Sequence, residues 1–174
     1  MDRFAAVFRA GNPSLGLEPR PGTLDAAAAR KAVIGNLEPS AGTPAPDRLR
    51  LLEGIALLWH DHWNEAHETA QSREGERDFD LLHAILHRRE GDFANSGHWF
   101  REAGKHPCYP ILERRLALIP GAGAAAGLTA EGRWSPSAFL GKVKGLSGAS
   151  GEAVRMAEAI QAEEFRAFAE WLAY

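Results

Sequence analysis

With a single cysteine, Cys108, in 174 residues, the chain can form no intrachain disulfide. The thiol reads as a small, partly buried side chain in a reducing, cytoplasmic setting. His106 stands two residues away, but His-Pro-Cys-Tyr has none of the local signatures of a thiol enzyme. Long apolar runs are lacking too. The longest uncharged stretch, 116–130, is too short to cross a bilayer and is broken by Pro120 and three glycines. Asp2 and Arg9 leave no secretory signal at the N-terminus. Excess charge is missing: a net −3 and a pI near 6.2 point to neither nucleic acid nor an anionic membrane as partner. The densest basic spots, Arg88-Arg89 and Arg114-Arg115, read as solvated helix faces. No segment alternates with period two, so strands are not expected. No Gly-Lys-Ser/Thr loop, paired carboxylates or Ser/His/Asp order is present.

Apolar residues make up 45% of the chain, enough to fill one core, and their spacing is helical. The expected fold is an all-α, compact single domain over 1–174. Residues 2–10 suit a short helix stopped by Gly11, and 24–33 a helix with Thr23 as N-cap and Gly35 as stop. Loops are expected at 11–22 and 38–46, where prolines and glycines gather. Leu49, Leu52, Ile55, Ala56 and Trp59 then recur on one helical face behind Asp47 as N-cap. Trp63, Ala66 and Ala70 follow a tight turn. Beyond a charged connector at 72–78, Phe79, Leu82 and Leu86 mark a helix closed by Glu90-Gly91, and Asp92 caps the next one, with Phe93, Ser96, Phe100 and Ala103 on its inner side. A helix is expected at 110–118 and a flexible connector at 120–133. Ser135-Pro136 starts the C-terminal helices of 136–172, whose stripe is Val154, Ala157, Ile160, Phe165, Phe168 and Trp171/Leu172.

Residues 47–107 contain a period of 30. Laying Trp63 over Phe93 puts Asp61 on Gly91, Ala66 on Ser96, Ala70 on Phe100 and Gly54 on Ala84, with small residues where two helices must approach closely. The second copy, from Glu90-Gly91-Asp92-Phe93 through Trp99-Phe100-Arg101-Glu102-Ala103, resembles the tetratricopeptide repeat. The first departs from it at Asp61, in place of the turn glycine, and at Arg73. More closely, Leu58-Trp59-His60-Asp61-His62-Trp63-Asn64-Glu65-Ala66-His67-Glu68 and His83-Ala84-Ile85-Leu86-His87-Arg88-Arg89-Glu90-Gly91-Asp92 are similar to an uncharacterised bacterial all-helical family. That resemblance covers about 51–107 and implies a compact helical fold with no assigned activity. Its pattern has an aromatic where this chain has His98, which argues against His98 as a required residue.

All seven histidines lie between His60 and His106. His83 and His87, four apart on a helix, share a face and can reach one ion. His60, Asn64 and His67 suggest a second such face, with Glu68 adjacent. If the two hairpins pack as neighbours, His67 completes a three-nitrogen set, an open zinc-type site for a divalent metal with Glu68 or Glu90 as base. Against this, the repeat register puts His87 where a large packing aromatic belongs and His83 where an apolar residue belongs. Spacing alone therefore favours histidines that fill space. The Trp59-His60-Asp61-His62-Trp63 turn offers a second surface, and Trp59, His60, His62, His67 and Arg88 are the candidate ligand-binding residues; at a hairpin turn the two tryptophans also suit packing. Gly121-Ala122-Gly123-Ala124-Ala125-Ala126 matches a dinucleotide fingerprint in form only, since no strand precedes it. The reading from sequence is a repeat-like module that binds a protein or peptide in the groove between its hairpins, with no catalytic residues assigned. The alternative is a metal- or ligand-binding protein, or hydrolase, built on His67, His83 and His87.

Overall fold

The computed structural model describes residues 4–18, 20–37, 44–128 and 131–173. Among these there are nine helices and no strand: α1 (Ala26–Gly35), α2 (Pro46–Trp59), α3 (Trp63–Gln71), α4 (Arg77–Glu90), α5 (Phe93–Ala103), α6 (Tyr109–Leu116), α7 (Ala122–Ala126), α8 (Pro136–Gly145) and α9 (Glu152–Leu172). The all-α class is as expected. No helix among the described residues is long and apolar enough to cross a membrane. Most of the 38–46 loop, and residues 129–130 of the 120–133 connector, lie outside the described residues.

Helix starts follow capping chemistry, not always at the expected residue. Asp25, not Thr23, caps α1 by accepting from the Ala28 N–H at 2.8 Å, while the Thr23 hydroxyl turns back to the Arg20 carbonyl. At α2 the N-cap is Ala45 and Pro46 occupies the first turn, where its missing N–H is harmless. Asp47 sits inside that turn, its charge favourable to the helix dipole. Asp92 and Ser135 cap α5 and α8 as expected. Of the helix expected over 2–10, residues 2–3 lie outside the described residues and 4–10 hold a single turn: the Phe8 N–H reaches the Phe4 carbonyl at 2.8 Å, and Ala10, at φ +71°, ends it. Within 120–133 the small residues form the short α7.

The α2–α3 and α4–α5 turns pass through Asp61 (φ +67°) and Gly91 (φ +85°), the two positions that the 30-residue register overlays. Glycine takes this conformation freely, and aspartate is among the few other residues that visit it. Asp61 is held there by two guanidinium groups, Arg89 at 2.8 Å and Arg20 at 3.0 Å. At Gly54 the helices come close: a Cβ there would stand 2.8 Å from Thr69 Cγ2 and 2.9 Å from Leu82 Cδ2. α2, α3 and α4 thus meet at a residue without a side chain.

The inner faces of α2 and α4 are covered by the chain itself. Phe165 of α9 meets Trp59 edge-on at 5.6 Å between ring centres, and Phe8 packs on the same indole at 4.7 Å. Arg88 and Arg89, expected in solvent, are 0% and 1% exposed. Arg88 pairs with the buried Glu164 of α9 and accompanies Gln161 at 3.2 Å. Its guanidinium lies 4.9 Å from the Phe139 ring and 5.7 Å from Phe100. Arg89 donates to the carbonyls of Leu58, Ser14 and Gly16. Of the other pair, Arg114 is exposed as expected and Arg115 binds Glu163 and Glu170.

Candidate metal centre

His83 and His87 stand one turn apart on α4, their rings stacked with centres 4.7 Å apart. His67 of α3 meets them from the side, its Nε2 at 3.1 Å from His83 Nε2. One nitrogen from each ring lies within 4.8 Å of the other two, so the three-histidine set suggested by the sequence is brought together. His83 and His87 are buried and His67 is half-buried at the edge. Burial, then the charges that His87, His67 and His98 would carry, hold the His83 pKa down to about 3. Burial and then His87 lower that of His67, against weaker raising by Glu90 and Glu74. Both rings are therefore neutral near pH 7, with the lone pair a metal requires.

The hairpin explains the neighbours. Residues equidistant from Gly91 face each other across α4 and α5. Trp99, eight beyond, stacks on His83, eight before, at 4.2 Å; Asn95, four beyond, donates its amide to Nε2 of His87, four before, at 3.0 Å. With Nε2 accepting, Nδ1 of His87 carries the proton and donates to Glu90 at 2.6 Å. Carboxylate on one ring nitrogen is the arrangement that orients metal-bound histidines; the other nitrogen, Nε2, is held by the Asn95 amide, whose place a metal would take. On α3, Trp63 stacks on His67, also four residues away, at 4.8 Å. Among the described residues, Trp63 Nε1, Trp99 Nε1 and His83 Nδ1 are buried without a hydrogen-bond partner, each at a desolvation cost of about 1–3 kcal/mol.

A tetrahedral zinc ion at about 2.0–2.1 Å from its nitrogens sets them about 3.3–3.4 Å apart. The His67–His83 pair already has that spacing at 3.1 Å. The widest pair, up to 4.8 Å, would close by about 1.4 Å. All three donors are imidazoles, which suit zinc, nickel and copper better than magnesium or calcium.

Other candidates do different work. Trp59 is fully buried and donates from Nε1 to the Arg9 carbonyl at 2.7 Å, so it forms no exposed platform with Trp63. The turn at 60–62 separates His60 from Asn64 and His67, breaking the expected second face. Buried His60 accepts the Leu24 N–H at 3.1 Å and reaches the Val7 carbonyl at 2.8 Å; burial above all lowers its pKa. His62 donates to the Leu24 carbonyl at 2.8 Å. Arg88 is sealed beneath α9. His98 and Glu68 are exposed. Glu90, offered as a base, is instead bound to His87. His106 links the Cys108 N–H to Asp78, and Cys108 is fully buried, not partly so, its thiol pKa pushed up by burial and then by Glu164 and Asp78. That excludes a ready nucleophile. Gly121 opens a five-residue helix with no strand before it among the described residues.

A cleft of about 700 Å³ lies elsewhere, between residues 14–18, the end of α4 and 146–149; none of the three clustered histidines lines it. Asn95 and Trp99 were not singled out as site residues, although counting outward from Gly91 would have found them. Comparison with protein-family models, with curated proteins and with solved structures gave no match, so function must be argued from the site itself.

Proposed function

We propose that this protein binds one divalent transition metal, zinc in the first instance, through His67, His83 and His87, leaving one position open. The observation that carries the reading is the convergence of three imidazole nitrogens from two helices, one ring already oriented by Glu90. With three neutral ligands the metal keeps its full charge, so a water or ligand oxygen in the open position is polarised. We also read α2–α3 and α4–α5 as two copies of one tetratricopeptide-like unit, on the strength of the paired left-handed turns at Asp61 and Gly91. The lone buried thiol is in keeping with a cytoplasmic protein. Binding of a peptide between the hairpins has less support, because α9 and the N-terminal arm fill that side of α2 and α4.

The test is elemental analysis of untagged protein purified without chelator. About one zinc, nickel, cobalt or copper per chain is expected, lost in His83→Gln and His87→Gln and kept in His98→Gln. Glu90→Gln should weaken binding about 10–100-fold, as removal of an orienting partner does elsewhere. Less than a tenth of an equivalent, with no uptake on adding zinc, cobalt or nickel, overturns the reading.

A further inference from the structure

Two indole N–H groups border the histidine cluster without any acceptor among the described residues: Nε1 of Trp63 and Nε1 of Trp99. Each indole is stacked on a different ligand ring, Trp63 on His67 and Trp99 on His83. Such groups nearly always find a partner when buried. Of the other three indoles, two do: Trp59 donates to Arg9 and Trp171 to Asp78. Trp134 Nε1, far along the chain, is the other orphaned indole among the described residues, so the two at the cluster are set apart by their place beside ligand nitrogens.

Charge narrows what they await. Three neutral imidazoles leave a divalent ion at +2, and Glu90 is the carboxylate in hydrogen-bond contact with a ligand ring. The sum is +1 in a largely buried place, where uncompensated charge is unfavourable. A monoanion neutralises it; a dianion overshoots. The donors come from different helices, α3 and α5, so a ligand with two acceptor oxygens can meet both, whereas the single oxygen of a hydroxide meets them less readily.

Resting on the metal reading above, we propose that the open position takes a monoanionic carboxylate group, one oxygen on the metal, with the indole N–H groups of Trp63 and Trp99 donating to the carboxylate oxygens. The ligand class is thus a small carboxylic acid, or bicarbonate, which has the same charge and geometry. Phosphate, mostly a dianion at pH 8 where acetate and bicarbonate remain monoanions, is the discriminating control, and the titrations are run at that pH.

The experiment uses the full chain loaded with cobalt(II), whose visible absorption reports the ligands of the ion. Acetate, bicarbonate and inorganic phosphate are titrated separately at fixed ionic strength. Acetate or bicarbonate should change the spectrum saturably, and whichever binds tighter identifies the source. Trp63→Phe and Trp99→Phe keep an aromatic stack but remove the N–H; each should weaken acetate about tenfold, the loss of one hydrogen bond to a charged group, while cobalt affinity stays close to that of the parent, because neither indole is hydrogen-bonded to a ligand ring. If no cobalt is taken up, the metal reading falls and this one with it. If cobalt binds and acetate leaves the spectrum unchanged, only this inference falls. It falls likewise if phosphate binds tighter than acetate, or if both Trp→Phe variants bind acetate as the parent does.

Discussion

α4 has two buried polar faces, and they are finished differently. Toward the N-terminal arm, every guanidinium nitrogen of Arg89 has a partner: Nε on Ser14, Nη1 on Leu58, Nη2 on Gly16 and Asp61. Arg20 completes the group, joining Asp61 to the carbonyls of Trp59, Ala10 and Asn12. These arginines terminate α2, whose last carbonyls have no partner within the helix, and fasten an irregular arm whose own carbonyls need donors. Toward α3 and α5, the histidine face leaves His83 Nδ1 and two indole N–H groups unpaired. A saturated network holds a fold together; one with unused valence is arranged for something it binds. Arg88 falls between the two. Its Nε and Nη1 lack partners, but Phe139 and Phe100 lie against the guanidinium, so aromatic faces stand where acceptors would.

The largest effect should come from breaking the saturated face. Arg89→Met leaves Asp61 with Arg20 alone and takes the guanidinium away from the carbonyls of Ser14, Leu58 and Gly16. The expected loss is about 3–5 kcal/mol, as for one partner removed from a buried ion pair. Urea unfolding followed by circular dichroism measures it. A loss below about 1 kcal/mol would mean that the arm repacks without its anchor, and that saturation does not mark structural work here.

Gly54→Ala strikes the histidine face through packing instead. The new methyl would press on Thr69, two residues after His67, and on Leu82, the residue before His83. Overpacking of this kind is expected to destabilise by about 1–3 kcal/mol. Because the clash parts the helices that carry the clustered histidines, zinc affinity measured by competition with a chelating dye should fall as well. Thr69→Ala in the same chain removes one of the two close contacts and should recover part of both. Stability and affinity that change independently would show that the cluster does not depend on how closely α3 meets α4.

How far these faces could be seen in the sequence differs in the same way. Helical spacing put His83 and His87 together, because residues four apart on a helix must share a side. The 30-residue register brought His67 within reach of them, and it matched Asp61 with Gly91 although the residue types differ. The arginine face was misread, since two adjacent arginines look solvated until a buried aspartate and a row of loop carbonyls are found beneath them. Those partners lie 28 to 75 positions away in the chain, beyond any local pattern. Trp59 was misplaced for a related reason: a turn tryptophan shows its exposure only when the arm carrying Phe8 and Arg9 is laid over it.

The effect that compares the faces most directly is their response to acid. The histidine face titrates within reach of mild acid, because His83 is held at about 3 when folded, against about 6.5 when unfolded. Between those values the unfolded chain binds more protons than the folded one. The contribution of His83 is thus fully present above pH 6.5 and is lost progressively as pH falls toward 3. The slope is up to about 1.4 kcal/mol per pH unit for one such group. His67 and His60, shifted the same way by burial first, add to it. Metal-free parent and His83→Gln, unfolded in urea at half-unit steps from pH 7 to 4, should therefore diverge. The parent should lose stability more steeply by up to that slope, whereas Glu90→Gln, which leaves His83 in place, should keep most of the steepness. Carboxylates titrate in both proteins and cancel in the difference. Parallel curves for parent and His83→Gln would mean that His83 is protonated in the fold with little penalty, and the contrast between a closed arginine face and an unfinished histidine face would lose its energetic basis.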